Sequence, residues 1–404
     1  MSSPSIDPLD RLNHPISAAE LERRWKAVRA AMEEARIDVL LMQSSNDFMG
    51  GYVKWFTDLP ATHGYPVCVA FPREDRMIVV NMGAFGHDVS FDQQGDPVRR
   101  GVARHLSVPS FTTAHYTAGY QAELIEKALA PYALARIGLV GTAEISHAFV
   151  EHLKRSRFGN AEFVEASDLV DRIKMIKSAE EIACIRRTAE MQDLCMKAAF
   201  AAIRPGMRDI EVAAVAENLG HSHGSEQGLF LCVSGPVGMA LSHANRHHQN
   251  RVIQDGDQFI LLVESNGPGG YYTELGRTCV LGRASQEMKD EHAFVLEARK
   301  VTLDLLKPGV SCKEIWETHN AFMQRHGRPP AKRIYSHGQG YDMVERPLVR
   351  FDEPAAIAAN MNIVVHPTYT TKRTFTWICD NYLVGEHGVM ERLHAFPEEI
   401  TELG

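Results

Sequence analysis

Residues 263–278 read VESNGPGGYYTELGRT, and the residues before them, 252–262, read VIQDGDQFILL. The earlier stretch is a turn followed by an apolar strand. The glycine-rich corner then returns the chain into a second strand, so the whole is read as a hairpin. It carries Glu264 and Glu274 on either side of the corner, near the ends of adjacent strands. Two carboxylates so placed could hold a metal, bind a cationic substrate, or remain from a decayed catalytic site.

Around the hairpin lies a chain of 404 residues, long enough that two domains are expected. A hydrophobic content of 45% and a charged content of 23% are those of an ordinary globular protein with a substantial core. The net charge of −8 is spread along the chain, with no basic stripe of the kind nucleic acid binding needs. No apolar run reaches membrane-spanning length, and MSSPSIDPLDRL lacks the apolar core of a signal peptide. The seven cysteines are scattered, odd in number and free of CxxC pairs, which fits reduced thiols. A soluble cytoplasmic protein is expected, with neither a nucleic acid nor a membrane as partner.

Towards the N-terminus, AAELERRWKAVRAAMEEARI has apolar residues at helical spacing and leads into the strand IDVLLMQ and the turn SSND. Further strand-like runs are YPVCVAF, RMIVV and ARIGLVG, separated by helical stretches; this alternation predicts an α/β domain over residues 1–171. A second domain, 172–404, opens with IKSAEEIACIRRTAEMQDLCMKAAFAAIRPG. Ser178 and Glu181 have capping-box spacing, Ile182, Ile185, Ala189, Leu194 and Ala198 are predicted to share one helical face, and Pro205-Gly206 ends the helix. IRPGMRDIEV (203–212) is echoed by LKPGVSCKEI (306–315), each with a glutamate six residues after its proline. The echo predicts a duplicated half within the second domain.

Taken in order, the IKSAEEIACIR helix, the IRPG stop, SGPVGMALSHA, the GYYTELGRT hairpin, SHGQG, NMNIVVHPTY and CDNYLVGEHG resemble the pita-bread family of creatinase, prolidase and aminopeptidase P. IDVLLMQSSND resembles the N-terminal domain of creatinase and prolidase. The resemblance implies an N-terminal α/β domain followed by a pita-bread catalytic domain of mixed α/β (α+β) class with an internal pseudo-two-fold repeat. It also implies a homodimer in which the first domain lies near the neighbour's site, where His63 and Tyr65 would contact substrate.

Metallopeptidases of this family bind two metal ions with two Asp, one His and two Glu. By chain position these fall at Val263 (with Glu264 beside it), Glu274, His337, His366 and Cys379 (with Asp380 beside it). Only the histidine is unchanged, so a standard two-metal aminopeptidase is not expected. Glu274, His337, His366 and Cys379 are all competent ligands, and together they suit one Zn²⁺ or Fe²⁺, or else line a metal-free pocket as in creatinase. A one-residue slip would put Asp380 in place of Cys379. Counted the same way, Glu264 would face away from Glu274 unless the corner contained a bulge. Creatinase grips its guanidinium group with glutamates at positions that hold Gly276 and His366 here, so creatine is a poor candidate substrate.

The resemblance gives His243 the role of proton shuttle, since an imidazole titrates near neutrality, while His247 and His248 are read as solvated. Glu345 is a candidate base or water-positioning group, Glu264 a further catalytic candidate, and Arg346 and Arg350 the candidate partners of a substrate carboxylate. The leading expectation is hydrolysis of a C–N bond in a small metabolite or dipeptide-like substrate. The alternatives are a metal-dependent lyase acting on a small carboxylate, as in a dimethylsulfoniopropionate lyase of the same fold, a metal-free creatinase-like hydrolase, and a non-catalytic binding module.

Overall fold

The computed structural model describes residues 16–45, 47–59, 64–92, 96–242 and 250–404. The chain divides into two compact units, one reaching to Lys174 and the other running from Met175 onward. In the first, the elements run α1 (Ala18–Glu34), β1 (Val39–Ser44), α2 (Gly51–Thr57), β2 (Val67–Pro72), β3 (Met77–Met82), β4 (Asp88–Ser90), β5 (Val102–Val108), α3 (Tyr120–Ala128), β6 (Arg136–Val140), α4 (His147–Arg155), β7 (Glu162–Glu165) and α5 (Ser167–Lys174). The strands form one mixed sheet in the order β4-β5-β3-β2-β1-β6-β7. Val39, Leu41, Ala70 and Val80 on one sheet face bury against Ala122 and Ile125 of α3 and Phe149 and Leu153 of α4. This is the alternating helix and strand arrangement that the sequence pattern predicts.

The second unit contains α6 (Ala179–Ala202), α7 (Asp209–Ser222), β8 (Gly228–Pro236), β9 (Asp257–Asn266), β10 (Tyr272–Val280), α8 (Gln286–Leu303), α9 (Cys312–Arg325), β11 (Ser336–Gly338), β12 (Glu345–Leu348), β13 (Asn362–Val365), β14 (Thr368–Thr370), β15 (Phe375–Trp377), β16 (Asp380–Gly385), β17 (Gly388–Arg392) and β18 (Thr401–Glu402). Its two main sheets are ordered β18-β10-β9-β8 and β12-β11-β13-β16-β17. Ser178 and Glu181 cap α6 reciprocally, as their spacing predicts. The buried face of α6 departs from expectation, however: Leu194 is exposed, and Cys195, Met196 and Ala199 go inside instead. A single apolar residue is weak evidence of a helical face when alanine and cysteine can fill the close contacts with a sheet.

The duplicated half is visible bond by bond. Gly206 and Gly309 both have a φ of +92°, a left-handed conformation suited to glycine. The amide of Gly206 donates to Ile253 and that of Gly309 to Ile357, at 2.9 Å in each case. The return bonds, Ile253 to Met207 and Ile357 to Val310, are both 2.8 Å. The N-caps of α7 and α9 then make equivalent antiparallel bridges, Arg208 with Val252 and Ser311 with Ala356. Each half therefore consists of two helices locked by a Pro-Gly turn to the segment that enters its sheet. The sheets meet where Gly276, in β10, bridges Cys379, at the start of β16.

Candidate metal centre

The β9–β10 hairpin is buried along both strands, so every polar side chain on it needs a partner. Its register pairs Glu264 directly with Glu274 and Val263 with Leu275, without a shift. Directly opposed residues of an antiparallel pair point to the same face, so the two glutamates stand side by side. This corrects the expectation that Glu264 faces away unless a bulge intervenes. Val263 lies on the other face, in the apolar cluster with Phe230 and Leu275. Pairing across the hairpin, and not a count along the chain, decides which residue stands beside Glu274.

The second half brings the nitrogen donors. His337, on β11, directs ring Nδ1 to the Gly338 carbonyl at 2.9 Å, which makes Nδ1 the protonated nitrogen. Its Nε2 is left facing Glu274 Oε2 at 3.9 Å. That is too long for a hydrogen bond, and two ligands of one cation can stand at such a separation. His366 follows β13, with its amide held by the Tyr335 carbonyl at 2.8 Å and its ring centroid 5.3 Å from that of His337. One donor atom each from Glu274, His337 and His366 lie within 4.8 Å of one another, and all three residues are buried.

Cys379 is buried beside this trio and its thiol donates to Glu274. Its neighbour Asp380 faces the opposite way, 2.6 Å from Arg277 Nη2 and 2.8 Å from Arg299 Nη1. The strand therefore presents the thiol to the site and reserves the carboxylate for a buried arginine pair. Gly276 leaves no room for a carboxylate: a Cβ there would come within 2.1 Å of the Trp377 ring.

The electrostatics follow from burial. Glu264 and Glu274 are both pushed up from the ordinary carboxylate range, chiefly by desolvation, and Glu264 further by the charge of Glu274. His337 is pushed down to about 4 by burial, which keeps its imidazole neutral. The cation acting on all three is the exposed Arg333, four residues before His337. Burial raises the Cys379 thiol well above its usual range, with the Glu274 charge adding to it.

The other sequence candidates are placed as follows. Glu345 is buried and paired with Lys177 Nζ at 2.7 Å. Arg346 is engaged bidentately by Glu353, at 2.6 and 3.1 Å, and Arg350 by Asp352 at the surface, at 2.7 and 2.8 Å. Tyr65, half-buried in the first unit, sets its ring edge against Phe111. His63, His243, His247 and His248 lie outside the described residues. Sequence reasoning passed over Arg333, Gln339 and Asn381; an amide within each of the buried strand segments SHGQG and CDNYLV was the available signal.

The sequence profile of metallopeptidase family M24 matches residues 183–389, and that of the creatinase/prolidase N-terminal domain matches residues 24–176. Over 257 residues the chain is 28% identical to an Xaa-Pro dipeptidase of Pyrococcus furiosus, covering 62% of this chain and 72% of that protein. It is 26% identical over 338 residues to an uncharacterized hydrolase/peptidase of Sinorhizobium fredii, covering 81% and 82% of the two chains. Among solved structures it resembles an X-Pro aminopeptidase from Thermotoga maritima, with a TM-score of 0.76, 19% identity and coverage of 94% of this chain and 99% of that one. The prolidase from Pyrococcus horikoshii is similar, with a TM-score of 0.74, 22% identity and the same coverage. At such identities the structural likeness is one of fold.

Proposed function

The chain belongs to metallopeptidase family M24, and from that premise we propose that it hydrolyses a C–N bond in a small, dipeptide-like substrate at a centre built on Glu274, His337 and His366. The observation that carries the reading is the convergence of these three buried donors to within 4.8 Å. The donor set fits a divalent transition metal: a neutral imidazole with Nε2 unprotonated, a second imidazole and a carboxylate, closed in by protein. Cys379 and Glu264 flank the trio as further donors. Such an ion, when bound, polarises a carbonyl and lowers the pKa of water.

The chain's own residues hold and move the protons. The Gly338 carbonyl fixes the tautomer of His337. Glu264 and Glu274, opposed and desolvated, are both pushed above the ordinary carboxylate range, Glu264 also by the charge of Glu274. A cation on Glu274 would favour the ionised form of both, leaving Glu264 to join Glu274 in holding it. His243 is assigned to protonate the leaving nitrogen on the strength of the family resemblance alone. Arg346 and Arg350 are occupied by their own carboxylates, so Arg333 is the better placed cation to meet a substrate carboxylate.

The test is metal content after purification together with turnover of Gly-Pro in oxygen-18 water. Stoichiometric zinc or iron and label in the released acid are expected. A metal-loaded protein that releases product without label would instead be a lyase, and one inert to every small amide would not be a hydrolase.

A further inference from the structure

Beneath the carboxylate pair lies a chain of three buried side-chain amides, Asn381, Asn362 and Gln339. The orientation of each is fixed by backbone groups that have only one hydrogen-bonding role. The Glu274 amide can only donate, and it donates to Asn381 Oδ1 at 2.8 Å. The other end of Asn381 is therefore the NH₂ group, which donates to Gln339 Oε1 at 2.9 Å and to Asn362 Oδ1 at 3.0 Å. Asn362 Nδ2 in turn donates to the Gln339 carbonyl at 3.1 Å, which settles its own orientation.

Gln339 consequently turns its NH₂ group towards the hairpin. That group donates to the Met343 carbonyl at 2.8 Å and to Glu264 Oε1 at 3.2 Å. The Met343 carbonyl can only accept, so the direction of the chain is determined independently at both ends. A flipped Gln339 would face two acceptors with an oxygen and leave Asn381 Nδ2 against an NH₂ group, at a cost of several buried hydrogen bonds. The backbone of one glutamate thus sets the side-chain partner of the other across the hairpin.

We propose that Gln339 is the positioning residue of this centre: its Nε2 holds Glu264 by one oxygen, so that the other is presented beside Glu274 as an additional donor to the cation. The inference rests on the metal reading of Glu274, His337 and His366. It assigns to the Asn381–Gln339 link the work that an outer carboxylate or carbonyl does for many metal ligands, restricting the rotation of a side chain before the ion arrives.

The experiment is a Co²⁺ titration of the full chain, read by visible absorption and by chelator competition, on Gln339→Met, Asn381→Ser and the control Gln192→Leu. Gln192 is another fully buried amide, donating to the Ser265 and Thr273 carbonyls, and has no bond to Glu264. Gln339→Met keeps the shape and removes the donor, and its Co²⁺ affinity should fall about 10- to 100-fold. Asn381→Ser leaves Gln339 in place but frees it to turn, with a smaller loss of roughly threefold expected; it also serves should Gln339→Met fail to fold. Gln192→Leu should lose stability without losing affinity. The positioning role is overturned if the wild type takes up Co²⁺ and Gln339→Met binds equally well, or if Gln192→Leu loses affinity to the same extent. A wild-type chain that takes up no cobalt overturns the metal reading, and this inference falls with it.

Discussion

At the scale of single residues, the centre is defined by which neighbour faces inward. Cys379 and Asp380 are adjacent in the chain and opposite in fate. Replacing Asp380 with Ala would leave Arg277 and Arg299 buried without their shared counter-charge, and should cost about 3–5 kcal/mol in a denaturant titration. Cys379→Ala removes only a thiol and its hydrogen bond to Glu274, so its larger effect should be on metal affinity. The glutamate pair makes a prediction with a sign. Burial raises both carboxylates, so each holds its proton to higher pH than usual, and that proton competes with the cation. Zinc affinity by chelator competition should therefore rise with pH through neutrality, by roughly tenfold per pH unit for each proton displaced. A flat profile would count against a proton competing with the cation for these carboxylates. Glu274→Gln removes the carboxylate of the trio and should lower zinc affinity by at least about 100-fold.

At the scale of elements, the hairpin shows what could and could not be read in advance. Its existence was legible from the apolar run and the glycines, and the corner does use them: Gly269 and Gly270 sit at φ of +93° and +84°. Gly270→Ala forces an L-residue into that region and should cost roughly 1–2 kcal/mol of stability, measurable as a lowered melting temperature. Which carboxylate faces the site was not legible, because facing depends on pairing across two strands while a count follows only one. The Pro-Gly echo and the capping box were legible because each is a local device with its own chemistry. The amide chain was not: Gln339, Asn362 and Asn381 come from separate strand segments and acquire meaning only when the sheet brings them together. Leu194 failed for the converse reason, since its helix turns the neighbouring Cys195 and Met196 inward in its place.

At the scale of the whole molecule, stability depends on groups far from the chemistry. His319 is buried against Tyr335, ring centroids 3.9 Å apart, and burial lowers its pKa to about 4. An unfolded histidine titrates near 6.5, so on acidification the unfolded chain takes up this proton first. The contribution of His319 is complete above about pH 6.5 and is lost as the pH falls towards about 4, amounting to roughly 3 kcal/mol. Other buried histidines, His105 among them, act in the same direction. The comparison is therefore of His319→Gln with wild type across that range: the variant's stability should decline less steeply with acid. The duplicated halves carry a different consequence. Glu274 belongs to the first and His337 and His366 to the second, so an ion shared among them would be a removable cross-link between two similarly built halves. Its strength would be set from outside, by the free concentration of the ion, adding about 2.7 kcal/mol when that is a hundred times the dissociation constant. The melting temperature should climb with the logarithm of free zinc and fall back in chelator, so that the metal supply of the surroundings regulates how firmly the two halves are held together.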